Sequence, residues 1–130
     1  MKLKNIFLFL IIVILFNKNS ALAINDKYIV DHFYKNTNSI TVIFKNGTKK
    51  IAYTNKDTIG HFTTNNKDSI FVAQSLLKKA GYYLSDINGN FNSQFNMAIL
   101  EFQRDYNLPQ NGFISLNDWF NLYNAALLLN

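Results

Sequence analysis

The feature that most constrains the fold is a series of short amphipathic segments in the second half of the chain, separated by helix-breaking residues. Apolar side chains recur every three or four residues in each segment, which is the spacing of one face of an α-helix. Gly81 follows the first segment. Pro109 follows the second, and proline lacks the amide hydrogen that a helix interior needs. The pattern predicts a small unit of three helices over residues 68–126.

The same spacing predicts where the helices begin and which side chains they bury. The side chains expected at the three N-termini, as caps or as a capping-box acid, are Asp68 or Ser69, Asn92 or Ser93, and Ser115 with Asp118. The apolar side chains expected in one shared core are Ile70, Ala73, Leu76, Leu77, Ala80, Phe95, Ala98, Ile99, Phe102, Tyr106, Trp119, Leu122, Tyr123 and Ala126. Because the three stripes can cover one another, we expect this unit to fold by itself.

Residues 24–67 have a different character and predict a β-hairpin extension that precedes the helices. Two runs rich in β-branched and aromatic residues, 39–45 and 48–54, flank Asn46 and Gly47. An Asn–Gly pair between such runs favours a two-residue type I′ turn, in which both central residues have positive φ.

This turn sets the register of the hairpin. Ile51 and Tyr53 would pair across to the apolar face of the first strand, which consists of Ile40, Val42 and Phe44. Residues 28–30 are a candidate third strand, and residues 54–66 predict a linker. An isolated hairpin is only marginally stable in water, so its apolar face is expected to dock on the helices or on a partner.

The first 23 residues predict a secretory signal peptide. Two lysines precede an unbroken apolar run, residues 6–16, and Ala21 and Ala23 supply the small-residue cleavage pattern. The run is shorter than the about 20 apolar residues that span a bilayer. We expect a mature chain that begins at Ile24, has no stable membrane span, and is periplasmic or extracellular. An uncleaved membrane anchor is the alternative.

The charge of the mature chain argues against nucleic acid as a partner. The whole chain has 13 basic and 8 acidic side chains, a formal charge of +5. Lys2, Lys4 and Lys18 lie in the predicted signal peptide, so 10 basic and 8 acidic side chains remain, a charge of +2. The basicity that would suggest nucleic-acid binding therefore belongs largely to the signal peptide.

A fixed order of residues runs through the helical part: Gln74, Leu77, Gly81-Tyr82, Asn88-Gly89, Phe102-Gln103, Leu108, Gly112, Trp119 and Leu122. This order resembles the small three-helix peptidoglycan-binding domain that is appended to many bacterial cell-wall enzymes. The resemblance covers about half of the mature chain and none of residues 24–67. It implies a mainly α fold and a ligand, the peptidoglycan (murein) of the cell wall.

Three residues of one loop depart from the family pattern. Asn88 stands where the family has an acid before the glycine, and Asn92 stands where it has a glycine after the aromatic residue. Phe95 falls where a threonine would cap the second helix. The departures bear on ligand binding more than on the fold.

The residues that carry catalysis in cell-wall enzymes are not assembled in this sequence. With no cysteine, the chemistry of cysteine transpeptidases is excluded. His32 and His61 are too few for a zinc peptidase, which needs three protein ligands. The sole glutamate, Glu101, is expected to pair with Arg104 at the surface. We therefore expect a non-catalytic protein without a metal or another cofactor.

Binding to a glycan or its peptides requires exposed rings, amides and charged groups. The candidates lie in the loop after the first helix and on the face of the second: Tyr83, Asp86, Asn88, Asn90 and Arg104. Tyr82, Phe91, Phe102 and Trp119 are expected in the core, and for Tyr83 both roles remain open.

These observations predict a secreted, non-catalytic protein that docks non-covalently on peptidoglycan, with an envelope protein as a second candidate partner for the hairpin extension. The alternative, which the three departures favour, is a protein-interaction adaptor of the cell envelope whose sugar site has decayed. The sequence does not distinguish recognition of the glycan from recognition of the stem peptide.

Overall fold

The computed structural model describes residues 27–61 and 66–129. The predicted signal peptide, residues 1–23, and the expected mature start at Ile24 lie outside these residues. The elements are β1 (Val30–Lys35), β2 (Ser39–Phe44), β3 (Lys49–Tyr53), α1 (Lys67–Lys79), α2 (Ser93–Asp105) and α3 (Asp118–Leu128). An antiparallel sheet in the order β1–β2–β3 thus precedes three helices, which confirms the predicted fold class. No helix within the described ranges is long and apolar enough to cross a membrane.

The β2–β3 hairpin forms at the predicted residues, but its turn is different. The Gly47 N–H donates to the Phe44 carbonyl and the Phe44 N–H to the Thr48 carbonyl, each at 2.9 Å, which encloses three loop residues. Gly47 has a φ of +87°, whereas Asn46 has no positive φ. The loop is therefore a type I turn followed by a left-handed glycine, and the predicted type I′ turn is wrong.

The extra loop residue shifts β3 by one position relative to the prediction. Lys50 lies opposite Val42, so Lys50 and Ala52 face the core. Ile51 and Tyr53 lie on the other side of the sheet, and their predicted pairing with the apolar face is wrong. A one-residue shift has this effect because successive side chains of a strand point to opposite faces.

The third strand lies farther along the chain than predicted. β1 runs from Val30 to Lys35 and pairs antiparallel with β2, with an irregularity between Val30 and His32. The predicted segment, residues 28–30, contributes only its last residue to this strand. Phe33, opposite Val42, contacts the Tyr123 ring of α3 at a centroid distance of 5.6 Å.

α1 is the central helix of the fold. Its residues from Ser69 to Leu77 are all buried, because the sheet covers one side of the helix and α3 packs on another. The cap is Asn66, whose side chain accepts the Asp68 N–H at 2.9 Å, so the predicted caps Asp68 and Ser69 are wrong. The helix ends as predicted at Gly81, which has a φ of +88°.

α2 and α3 supply the rest of the helical core. Asn92 caps α2 as predicted, and its side-chain oxygen accepts the Phe95 N–H at 2.8 Å. α3 begins at Asp118 rather than after Ser115, which lies in the preceding turn. The Asp118 carboxylate accepts the Ser115 N–H at 3.0 Å, so this acid closes the turn as a capping-box acid would. The predicted core residues are buried, except that Phe91, Tyr106 and Tyr123 are only partly buried.

The segment between β3 and α1, predicted to be a linker, is anchored in the core where the structure describes it. Ile59 is completely buried and forms a bridge with Ile114. The Asp57 carboxylate accepts the Ser69 hydroxyl of α1 at 2.7 Å, and the Asp57 carbonyl accepts the Trp119 indole N–H at 2.7 Å. Apolar residues of the sheet, this segment and the helices form one cluster.

Candidate functional site

The loop between α1 and α2 is held by one buried amide. Gln74 is completely buried, and its side-chain oxygen accepts the N–H groups of Asn88 at 3.0 Å and Gly89 at 2.9 Å. Its side-chain nitrogen donates to the Asn88 side chain at 3.2 Å and to the Asn90 carbonyl at 2.9 Å. The Asn88 side chain also accepts the Asn90 N–H at 2.9 Å. All four hydrogen bonds of this amide therefore fix residues 88–90.

The loop between α2 and α3 repeats this arrangement. The oxygen of the buried Gln103 side chain accepts the N–H groups of Asn111 at 3.1 Å and Gly112 at 3.0 Å. Its nitrogen donates to the Asn111 side chain at 3.0 Å and to the Phe113 carbonyl at 2.9 Å. The glycines of both loops have positive φ, +74° at Gly89 and +70° at Gly112. One glutamine therefore organises one Asn–Gly turn in each half of the helical part.

A groove of ≈ 390 Å³ lies beside the first of these loops. One wall comes from the segment before β1 and from β3, and the other from the start of α1 and the loop after it. The residues that line the groove are Lys27, Tyr28, Lys50, Lys67, Phe71, Asp86, Ile87 and Asn88. Among the described residues that line the groove, three are lysines and one, Asp86, is an acid.

Aromatic rings and an ion pair hold two of the three lysines of the groove. The Lys50 ammonium lies 4.7 Å from the centre of the Phe71 ring and 3.1 Å from the Asp68 carboxylate. The Lys27 ammonium lies 5.4 Å from the centre of the Tyr28 ring. Attraction between a cation and a ring face within about 6 Å favours these positions.

Two residues of the groove, Phe71 and Lys67, pack closely on Gly89 of the loop. A Cβ at this position would lie 2.5 Å from the Phe71 ring and 2.9 Å from Cγ of Lys67. Only a residue without a side chain lets Phe71 and Lys67 approach the loop so closely, and the positive φ makes the same demand. The conformation of this turn therefore positions one wall of the groove.

The structure brings together two of the five predicted ligand-binding residues. Asp86 and Asn88 both line the groove. Asn90 is exposed, and its backbone joins the Gln74 network. Tyr83 is 1% exposed and its hydroxyl donates to the Asp86 carbonyl at 2.7 Å, so its ring supports the loop from within.

Arg104 lies away from the groove. It is exposed, and its nearest acid is Asp105 at 3.3 Å rather than the predicted Glu101. The Asp105 carboxylate accepts the Tyr82 hydroxyl at 2.8 Å. Tyr82 follows the C-terminus of α1, whereas the groove lies beside the first turns of that helix.

Sequence reasoning missed the three lysines of the groove. It named Gln74 and Gln103 as part of the family pattern but did not predict that both are buried. The lysines are far apart in the chain, and no local pattern joins them. The glutamines did leave a signal, because each lies on an apolar stripe, four residues after Ile70 and Ile99. A polar residue at such a position predicts a buried hydrogen-bond network.

Residues 66–117 match the sequence model of the family described as "Putative peptidoglycan binding domain". The matched range contains α1, α2 and both Asn–Gly turns. Residues 66–117 are a domain of this family. None of the curated proteins compared with the chain matches it.

A solved structure has the same fold over a longer range than this peptidoglycan-binding domain. It is the crystal structure of a peptidoglycan-binding protein from Clostridioides difficile in complex with glutamine hydroxamate. The TM-score is 0.62 at 24% sequence identity, and the similarity covers 75% of this chain and 60% of that one. Three quarters of this chain is about 97 residues, well beyond the 52 residues of the matched domain. This chain spans less than two thirds of the length of that protein.

The three departures from the family pattern have structural roles here. Asn88 accepts the Asn90 N–H as an aspartate would, and Asn92 caps α2. Phe95 is completely buried between Tyr83 and Phe91. In this loop, Asn88 and Asn92 therefore form the hydrogen bonds that hold the turn and cap α2.

The histidines lie in separate parts of the described structure. His32 pairs with Asp31 on β1 at 2.7 Å, and His61 packs against the Phe91 ring at 4.6 Å. Within residues 27–61 and 66–129, no three His, Asp or Glu side chains are grouped so that they could hold a metal ion.

Proposed function

We propose that this chain binds peptidoglycan non-covalently and without catalysing a reaction. The observation that carries the proposal is the match of residues 66–117 to the peptidoglycan-binding family. The intact Gln74 loop and the groove beside it support the proposal, because they give the domain an ordered surface with charged and amide groups. A solved structure with the same fold is itself named a peptidoglycan-binding protein.

Export places the protein where this ligand is found. The charged, apolar and small-residue regions of residues 1–23 support cleavage before Ile24 and a periplasmic or extracellular location. Peptidoglycan offers many copies of one small epitope, so a site of modest affinity retains a protein that rebinds nearby.

The groove supports a specific assignment of binding residues. Asp86 and Asn88 contact the ligand from the loop, and Tyr83 and Asn90 act through the conformation of that loop. Arg104 contributes a second contact with peptidoglycan on a different surface of the domain. We also propose an envelope protein as a second partner of this chain. The outer side of the sheet supports this proposal, because Tyr34 and Tyr53 are exposed there.

Co-sedimentation with purified sacculi tests the proposal. The mature chain, residues 24–130, is expected to sediment with intact sacculi and to stay in solution once muramidase has solubilised them. Asp86→Ala should weaken the binding, because it removes an acceptor from the groove. The matched control is Asp31→Ala, which removes an exposed carboxylate on β1 and should leave the binding unchanged. Failure of the wild-type chain to sediment with sacculi would refute the proposal and leave the adaptor alternative.

A further inference from the structure

We propose that the groove recognises the peptide part of peptidoglycan rather than its glycan, through free carboxylates held by Lys27 and Lys67. This inference rests on the proposed function and adds the chemical class that the site selects. Strand β3 and the segment that precedes β1 also contribute residues to this site, although both lie outside the matched domain.

The charges of the groove fit a carboxylate-bearing peptide. Lys27 precedes β1, Lys50 lies on β3 and Lys67 begins α1, so lysines line both walls of the groove. A lysine ammonium offers three hydrogen-bond donors, and its bond to a carboxylate is stronger than a bond between neutral groups. A neutral glycan chain offers hydroxyl and amide groups and gains no such advantage.

The aromatic residues of the groove are not arranged as a platform for a sugar ring. The edge of one ring meets the other where Tyr28 and Phe71 contact, at a centroid distance of 4.8 Å and an interplanar angle of 65°. Lys50 lies over Phe71, and only 4% of Phe71 is exposed. Because a sugar ring needs an open aromatic face, these rings position the ammonium groups instead of binding a sugar.

The three lysines differ in their freedom to bind a ligand. Lys50 already pairs with Asp68 at 3.1 Å, so it fixes the wall more than it binds a carboxylate. The stem of Lys67 lies against Gly89, which directs it along the loop. Lys27 and Lys67 are therefore the residues that we assign to the ligand.

Asp86 gives the groove a second kind of selectivity. It is the one carboxylate among the lining residues, and it lies on the loop wall. Stem peptides carry an amino group on their diamino acid as well as free carboxylates. A groove with cations on both walls and an acid on one wall suits a ligand of this mixed charge, and complementary charges of this kind give specificity.

Isothermal titration with defined probes tests the inference on the mature chain. The probes are a synthetic stem pentapeptide, the same peptide with its C-terminal carboxylate amidated, and the neutral glycan chitotetraose. The pentapeptide should bind, amidation should lower its affinity several-fold, and chitotetraose should not bind. Raising the salt concentration should also lower the affinity for the pentapeptide, since the contacts are made by partly exposed charged groups.

A matched pair of variants locates the contact. The double variant Lys27→Gln and Lys67→Gln should bind the pentapeptide about tenfold more weakly, as expected for the loss of two charge-assisted bonds. The control, Lys49→Gln with Lys56→Gln, has the same change in net charge, but both lysines are exposed outside the groove. It should bind within about twofold of the wild type, since neither lysine lines the groove. Thermal unfolding of both double variants confirms that they are folded.

The outcomes separate this inference from the proposed function. Wild-type protein that sediments with sacculi but binds chitotetraose instead of the pentapeptide keeps the proposed function and overturns the inference. Equal weakening by the two double variants also overturns it, because net charge alone would then explain the effect. Wild-type protein that fails to sediment with sacculi overturns both.

Discussion

Replacing Gln74 or Gln103 with methionine removes one buried amide and keeps a side chain of similar length. Each substitution breaks four hydrogen bonds to an Asn–Gly turn. The N–H groups of Gly89 and Gly112 are buried and would lose their acceptor. The asparagine N–H groups are nearer to solvent and can reach water.

The expected cost follows from these orphaned groups. A buried donor without an acceptor costs about 1–3 kcal/mol, and the partly buried carbonyl of each turn adds less. We therefore expect each variant to lose about 2–4 kcal/mol of unfolding free energy. For a domain of this size, that loss lowers the thermal midpoint by roughly 10–20 °C. Chemical denaturation followed by the fluorescence of Trp119 measures the free energy directly.

The two variants should differ in ligand binding although they lose similar stability. Gln74 holds the turn that lines the groove, whereas Gln103 holds a turn that does not contribute to the lining. At a temperature at which both variants are folded, sacculus binding should fall for Gln74→Met and stay near wild type for Gln103→Met. Equal loss of binding in both variants, or a stability change under about 0.5 kcal/mol in either, would refute this reasoning.

Three further predictions follow from the shared core and the N-terminus. Trp119→Ala should lose about 3–5 kcal/mol of stability. Trp119→Phe should lose less, because it removes mainly the bond to the Asp57 carbonyl, and denaturant titration compares the two. We propose that the sheet and the helices fold as one unit, so a fragment of residues 66–130 should lose its cooperative unfolding in circular dichroism, whereas an unchanged transition would support the separable domain. N-terminal sequencing of protein from the cell envelope should begin at Ile24, and retention of the first 23 residues in a membrane fraction would indicate an anchor.

Local periodicity was sufficient to predict the helices and most of their core. The stripe of α2 from Phe95 to Phe102 is buried as its spacing predicts, because a helix turns through a fixed angle at each residue. The start of α2 at Asn92 and the end of α1 at Gly81 were predicted correctly, whereas the residue that caps the start of α1 was not. Several polar residues lie near the start of α1, and the spacing of apolar residues does not distinguish Asn66 from Asp68 or Ser69 as the cap.

The register of the hairpin shows the limit of a local motif. Asn46 and Gly47 favour a turn, yet they fit both a two-residue and a three-residue loop. The Asn46 side chain accepts the Thr48 N–H at 2.9 Å and donates to the Lys27 carbonyl at 3.0 Å. The second of these hydrogen bonds joins residues 19 positions apart, so it cannot be predicted from the sequence near the turn.

Side-chain spacing and a local order of residues were sufficient to predict the three helices, the hairpin strands and the family of residues 66–117. The set of side chains that line the groove depends instead on how the sheet packs on the helices. Lys27, Lys50 and Lys67 are separated along the chain, and Lys50 joins the other two because β3 is shifted by one residue and packs on α1. A one-residue shift back would turn Lys50 to the other face of the sheet and remove it from the site.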